Sequence, residues 1–359
     1  MGTCRHCGVT SRRIAAVLSF CARCIRARGA RILPELQEIH VDTRRRFGLP
    51  ASPPQDEQGL ECGLCQNGCR VPQGQSGYCA VRRNKNGRLT GGTPQEAAVS
   101  WSYDPLPTNC VADWVCTEGS SAKPRIRPQN QVNLAVFYEA CTFNCLFCQN
   151  WQYRKRSPHR TMRTADELAR SVTPETACIC HFGGDPTCQL PYALAASRLA
   201  LKQHRHRALR ICWETNGSMA PRLLHEMMDL SLESGGCVKF DLKAQDKFLH
   251  QALCGADNAR TLENFAAAAT RIRERPEPPP LVASTLLVPG YIDEQEVGKI
   301  AFFIAQLDPH TPYALLGFHG DFLMAEMPAT SWREAQNCLT AAREAGLTRT
   351  RLGNLPILQ

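Results

Sequence analysis

The second half of the chain alternates two patterns. From about residue 131 onward, short runs rich in β-branched and apolar residues are separated by longer stretches of helical periodicity. This alternation is typical of a parallel sheet covered by helices. The predicted strands are 132–138, 176–182, 209–213, 237–241, 281–288 and 313–318. The predicted helices are 164–171, 190–204, 220–232, 258–275, 293–307 and 331–345.

These elements form six β/α units, with room for a short strand after the last helix. Six units are too few for a complete eight-unit barrel. The 130 residues that precede the first strand show no such alternation, and they contain many turn residues and cysteines. The pattern therefore predicts an α/β fold preceded by a separate extension.

Composition narrows the class of protein. The chain has 359 residues, of which 43% are hydrophobic and 21% charged, which excludes a disordered, collagen-like or coiled-coil protein. The formal net charge of +9 suits acidic partners without demanding nucleic acid. Two basic tracts, 153–160 and 202–210, could contact nucleic acid, but exposed loop and helix faces explain them equally well. Nucleic acid binding therefore stays open.

The chain contains 20 cysteines. It opens without an apolar signal-like segment, and no run approaches the ~18 apolar residues of a membrane span. We therefore expect a cytoplasmic protein with no membrane partner, where clustered cysteines bind metal more often than they form disulfides.

The cysteines fall into three blocks and a looser pair. The first block is Cys4, Cys7, Cys21 and Cys24; the second is Cys62, Cys65, Cys69 and Cys79; the third is Cys141, Cys145 and Cys148; the pair is Cys110 and Cys116.

The third block carries the most information. Its three cysteines lie within eight residues, directly after the first predicted strand. Ligands of parallel α/β folds bind at that end of the strands. Three thiolates can hold three corners of an iron–sulfur cubane and leave the fourth iron open. A zinc site that borrows its fourth ligand, or reduced core cysteines, are the alternatives.

The segment Cys141-Thr-Phe-Asn-Cys145-Leu-Phe-Cys148 resembles the signature of the radical S-adenosylmethionine (SAM) superfamily, and the following Gln149-Asn150 resembles its pyruvate formate-lyase activating enzyme-like branch. Later motifs agree with this resemblance. They are Gly183-Gly184-Asp185, which is similar to the GGE motif, Glu214-Thr215-Asn216-Gly217, Asp241-Leu242-Lys243 and Val288-Pro289-Gly290.

The resemblance implies a partial (β/α)6 TIM-like barrel that holds a [4Fe-4S] cluster on Cys141, Cys145 and Cys148. It also implies that SAM binds at the strand ends. The residues that we expect at the SAM site are Gly183, Gly184, Asp185, Thr215, Asn216, Asp241, Lys243 and His319. Asp185 is shorter than the usual Glu, Asp241 and Lys243 could instead form a buried ion pair, and His319 could instead be a packing residue.

The resemblance further implies an activating-enzyme-like oxidoreductase. Such an enzyme cleaves SAM reductively to a 5′-deoxyadenosyl radical, which abstracts hydrogen from a substrate. A low-potential electron donor, flavodoxin or ferredoxin, is implied, and a glycyl-radical-type partner protein is one possible substrate. Radical modification of a small molecule, peptide or nucleic acid is an alternative, as is a non-enzymatic zinc-binding adaptor.

The first block has the spacing of a Cys4 zinc-ribbon-like module, although rubredoxin-like iron has the same spacing. The second block, Cys62, Cys65, Cys69 and Cys79, could hold zinc or an auxiliary cluster. Cys110 and Cys116 either complete a site with that block or bind no metal. We predict three domains: the Cys4 module at 1–34, a linker helix with the second cysteine-rich segment at 35–130, and the partial barrel at 131–359.

Overall fold

The computed structural model describes residues 1–108, 110–116, 130–156 and 160–359. Residues 157–159 of the first basic tract therefore lie outside the described residues. The helices are α1 (Ala22–Arg46), α2 (Tyr153–Arg156), α3 (Ala165–Arg170), α4 (Leu190–Gln203), α5 (Pro221–Ser234), α6 (Lys247–Cys254), α7 (Ala259–Ala269), α8 (Glu294–Leu307) and α9 (Trp332–Glu344).

The strands, in chain order, are β1 (Gly2–Thr3), β2 (Thr10–Ser11), β3 (Leu60–Glu61), β4 (Arg70–Val71), β5 (Arg83–Lys85), β6 (Arg88–Thr90), β7 (Glu96–Pro105), β8 (Val132–Tyr138), β9 (Met162–Thr164), β10 (Thr176–Phe182), β11 (Arg210–Thr215), β12 (Val238–Asp241), β13 (Leu281–Leu287), β14 (Tyr313–Gly317) and β15 (Thr350–Gly353).

Seven parallel strands form the centre of the molecule. Their order is β8-β10-β11-β12-β13-β14-β15, so each strand pairs with the next parallel strand of the chain. These strands are largely buried because helices cover the outer side of the sheet, and β15 is only partly buried. The predicted α/β fold with six β/α units is confirmed, and β15 is the short final strand.

Two strands extend this sheet in a way that the sequence did not indicate. β7 pairs antiparallel with β8, and β9 pairs antiparallel with β7. β7 lacks the apolar run of the parallel strands because its second half is largely exposed. The predicted helix 258–275 is also shorter than expected, since α7 ends at Ala269 and a 3₁₀ turn follows.

The N-terminal cysteine module packs against the loop between β13 and α8. The hydroxyl of Tyr291 accepts a hydrogen bond from Ala15 N at 2.9 Å and donates to Phe20 O at 3.0 Å. Arg26, on α1, forms an ion pair with Asp293 at 3.0 Å. The module is thus tied to the sheet through buried polar contacts.

Helix α1 is 25 residues long and continues past the predicted boundary at residue 34. Its residue Arg28 departs from helical φ/ψ, and it contains Pro34. The three domain boundaries therefore stay predictions. Within the described residues, no helix is both long and apolar enough to cross a membrane.

We predict that Tyr291→Phe lowers the free energy of unfolding by about 1–3 kcal/mol, because a buried amide and a buried carbonyl lose their shared partner. Urea denaturation measures this. Tyr103→Phe is the matched control, since Tyr103 is 45% exposed and its hydroxyl donates to Ser171 O at 2.6 Å. Equal effects in the two variants would contradict the role assigned to Tyr291.

Candidate active site at the carboxyl ends of the parallel strands

The third cysteine block forms a loop directly after β8. Its backbone is fixed by the carboxyl end of α6: Asn144 N donates to Cys254 O at 2.9 Å, and Leu146 N donates to Leu253 O at 3.0 Å. The Asn144 side chain lies 3.2 Å from the Nδ1 atom of His40 on α1. The loop is therefore held by helices that lie far from it in sequence.

One cleft brings the predicted residues together. It is bounded by the loop and by the carboxyl ends of β10, β11 and β12. The predicted residues that line it are Cys141, Cys145, Cys148, Gly183, Gly184, Asp185, Thr215, Asn216, Asp241 and Lys243. His319 differs, because it is exposed and lines the adjoining pocket, with its Nδ1 atom 3.3 Å from Gly320 O.

Asp185 joins the ends of β10 and β11. Its carboxylate accepts hydrogen bonds from Thr187 N at 2.7 Å and Asn216 N at 2.6 Å, and from the Thr215 hydroxyl at 3.2 Å. The residue is 3% exposed, and burial raises the pKa of its carboxyl group. Both oxygens already have protein donors, so Asp185 positions the neighbouring turn.

Asn216 connects that turn to the cysteine loop. Its side-chain amide donates to the Thr142 hydroxyl at 2.7 Å and lies 3.7 Å from the Cys141 sulfur. Its own oxygen accepts from Ser218 N at 3.0 Å. The orientation of Asn216 therefore depends on the loop that carries Cys141.

Asp241 and Lys243 form the ion pair that the sequence allowed as an alternative. The Lys243 ammonium contacts Asp241 Oδ2 and lies 5.8 Å from the centre of the Phe147 ring. The other Asp241 oxygen, Oδ1, is buried and has no hydrogen-bond partner within the described residues. That oxygen is an acceptor that a bound ligand could use.

The donor set of the loop fits a soft, anionic metal group. Its three sulfurs line one cleft, and thiolates are the ligands that iron–sulfur clusters prefer. Burial raises the pKa of Cys148, and the neighbouring Arg154 guanidinium opposes that rise. Arg154 is 1% exposed, and its Nε and Nη1 groups find no partner in the described part of the chain. This buried cation faces a site that would become negative once the thiols lose their protons.

The first cysteine block is assembled for a single ion. The sulfurs of Cys4, Cys7, Cys21 and Cys24 all lie within 4.8 Å of one another, as four ligands of one metal must. In the described residues, the second block does not meet this spacing. Its Cys79 thiol instead forms a hydrogen bond with the thiol of Cys188.

Although its sulfurs are not gathered for a single ion, the second block contacts the loops of the candidate active site. Gln66 N donates to Ser218 O at 2.9 Å, and the Asn67 amide donates to Thr142 O at 3.0 Å. Tyr78 N donates to the Cys69 sulfur at 3.4 Å. Metal binding by this block stays a prediction.

The family model of the radical SAM superfamily matches residues 135–304, from β8 into α8. Residues 135–304 of this chain therefore carry a radical SAM domain. The match covers the cysteine loop and the ends of β10, β11 and β12 that border the cleft. A radical SAM domain implies an enzyme that uses a [4Fe-4S] cluster and SAM, and it argues against the non-enzymatic adaptor.

Known proteins with similar sequences match different shares of this chain. An uncharacterised protein of Methanocaldococcus jannaschii is 24% identical over 84% of this chain and 83% of its own length. The isethionate sulfite-lyase activating enzyme of Oleidesulfovibrio alaskensis is 30% identical over 44% of this chain and 50% of its own. The pyruvate formate-lyase-activating enzyme of Staphylococcus aureus is 25% identical over 51% and 73%. The chain thus spans most of the archaeal protein but half of the isethionate sulfite-lyase activating enzyme.

The radical SAM cleft also contains residues that sequence reasoning did not assign to it. They are Lys239 on β12, Ser284 and Leu286 on β13, and Asn354 after β15. The available signal was the period of two along each strand, since Lys239 and Asp241 share a face. That signal was not sufficient because the sequence does not show which face turns inward.

We predict that Gly184→Ala lowers both stability and iron loading. A Cβ at this position would lie 2.1 Å from Tyr138 O and 2.5 Å from Ala140 O, at the start of the cysteine loop. This clash of about 1–3 kcal/mol adds to the ~1–2 kcal/mol that positive φ costs. Chemical denaturation and iron analysis of the reconstituted protein measure the two effects.

Gly235→Ala is the matched control for Gly184→Ala, because Gly235 has φ +78° and only distant side-chain neighbours. It should lose stability and keep its iron. Equal iron content and equal loss of stability in the two variants would contradict the prediction that the close approach of Gly184 to the cysteine loop supports iron loading.

Proposed function

We propose that this chain cleaves SAM reductively at a [4Fe-4S] cluster bound by Cys141, Cys145 and Cys148. One observation carries the proposal: the three thiols line the same cleft as the ends of β10, β11 and β12. When bound, the cluster supplies an electron to SAM and thereby yields a 5′-deoxyadenosyl radical. Three protein ligands leave one iron free to bind SAM.

The residues of the cleft then have separate tasks. Asn216 and Asp185 hold the turn after β11 against the cysteine loop, and Asp241 Oδ1 offers a free acceptor. Lys243 and Arg154 supply positive charge next to the thiolates. Buried walls keep water away from a reactive radical.

Its substrate is, in our proposal, a partner protein of the glycyl-radical type. The support comes from the relatives, two of which are named as activating enzymes of isethionate sulfite-lyase and pyruvate formate-lyase. Flavodoxin or ferredoxin is the proposed electron donor, since low-potential clusters need a strong reductant.

The Cys4 module is proposed to bind one zinc ion with a structural role. Four sulfurs close a tetrahedral site and leave no position for a substrate. Cys21 is the N-cap of α1 and Cys24 lies in its first turn, so the metal would fix the start of this helix.

We predict that replacing Cys141, Cys145 and Cys148 together with Ala removes about four irons per chain and abolishes reductive SAM cleavage, since the cluster loses every protein ligand. Iron analysis and 5′-deoxyadenosine formation in anaerobically reconstituted protein measure this. Cys338→Ala is the control, because Cys338 is buried in α9, outside the cleft. SAM cleavage that persists in the triple variant would contradict the proposal.

The wild-type chain and the triple variant also test whether the substrate is a glycyl-radical-type protein. Incubated with a candidate glycyl-radical protein, SAM and reductant, the wild-type chain should generate a protein radical that electron paramagnetic resonance detects, and the triple variant should not. Robust 5′-deoxyadenosine formation without any protein radical would agree with the proposed SAM cleavage. It would contradict the proposal that the substrate is a glycyl-radical-type partner protein.

A further inference from the structure

A second cavity lies next to the radical SAM cleft. The two share Phe182, Glu214 and Lys239 in their walls. Its lining includes six of the cysteines that belong to none of the three blocks. They are Cys110, Cys116, Cys178, Cys180, Cys212 and Cys237.

Strand register explains why the thiols meet. Cys180 on β10 lies directly opposite Cys212 on β11, and Trp213 pairs with Val238, so Cys212 stands beside Cys237. Neighbouring strands are about 4.8 Å apart. Three cysteines therefore form one row across three adjacent strands, which we call the thiol row, and Cys110 faces the row from the segment after β7.

This cavity is small and lies between the strands of the sheet and the partly exposed segment after β7. Its volume is about 90 Å³. A cavity needs roughly 10–15 Å³ of such volume to hold one water, so this space admits a small group. Its size suits a small inorganic group.

A buried cation points at the sulfurs. Lys239 is 2% exposed, and its ammonium lies 3.0 Å from a Glu214 oxygen, 3.1 Å from the Cys180 sulfur and 3.4 Å from the Cys110 sulfur. Each of its three N–H groups thus has an acceptor. Such bonds are strong when the sulfur is a thiolate, and thiolates are the form that binds metal.

The spacing favours a multinuclear group over a single ion. The Cys212 and Cys237 thiols form a hydrogen bond, but no three described sulfurs of this cavity lie within 4.8 Å of one another as the Cys4 set does, and the same holds for Cys141, Cys145 and Cys148. A cluster that fills the space between thiolates needs this wider arrangement.

We propose that the cavity holds an iron–sulfur cluster bound by the thiol row, Cys180, Cys212 and Cys237, with Cys110 as the fourth ligand. Lys239 is a positioning residue that donates hydrogen bonds to ligand sulfurs, which is a recognised way to set a cluster's potential. The site is separate from the loop cluster and does not require that SAM be cleaved.

The test uses the full chain in which Cys141, Cys145 and Cys148 are Ala, reconstituted anaerobically with iron and sulfide. This parent should retain iron and sulfide. Adding Cys180→Ser, Cys212→Ser and Cys237→Ser should remove about two or four irons with matching sulfide, the content of one cluster. The second block is intact in both proteins, so the difference isolates the cavity. Adding Cys338→Ser instead should remove none.

Unchanged iron and sulfide after the thiol-row substitutions would overturn the proposal, and so would the loss of about one zinc without iron. If the combined variant does not fold, single Cys180→Ser and Cys212→Ser variants replace it. Each should shift the reduction potential and the electron paramagnetic resonance spectrum of the parent's residual cluster, which a merely packed cysteine would leave unmoved. Spectra identical to those of Cys338→Ser would overturn the proposal.

Discussion

Three partly buried thiols in one cleft impose the constraint on which the rest of this structure depends. Burial raises the pKa of Cys141 well above its ordinary value, and the nearby Asp185 carboxylate raises it further. A thiolate there is therefore stable only when a metal or a cation compensates it. Arg154 and Lys243 lie beside the loop and supply such cations. Binding of a metal must then release protons from the loop.

The same constraint explains why so much of the chain surrounds a loop of eight residues. Helix α1 begins at the Cys4 module and reaches His40, whose ring contacts Asn144 inside the loop. Burial lowers the pKa of His40 to about 4, so it meets Asn144 as a neutral ring. The N-terminal module and the loop thus contact the same helical segment, which is kinked at Arg28.

The sequence was sufficient to predict local features such as strands and motifs. It was insufficient to predict contacts that depend on the register between neighbouring strands. Apolar runs identified the parallel strands, and motifs at their ends identified the cleft, because carboxyl ends of parallel strands share one rim. The row formed by Cys180, Cys212 and Cys237 could not be predicted, since register depends on crossovers that separate these residues by dozens of positions. β7 was missed because its exposed half lacks an apolar run. A contact of His319 with the nucleoside stays a prediction, since this exposed residue lines the adjoining pocket.

The motif residues of the cleft bind one another before they bind any ligand. The Asp185 carboxylate accepts a hydrogen bond from Asn216 N, and the Asn216 side-chain amide donates one to the Thr142 hydroxyl. Thr142 lies in the loop that carries Cys145 and Cys148. A carboxylate with all its donors inside the protein has little capacity left for SAM, so its shorter arm than that of Glu suits a positioning role. In our proposal, recognition of the ligand then falls to groups that remain unpaired, such as Asp241 Oδ1, and to backbone carbonyls at the strand ends. Order in the cleft is consequently set by the protein before the cofactor arrives, and this lowers the entropy that binding must overcome.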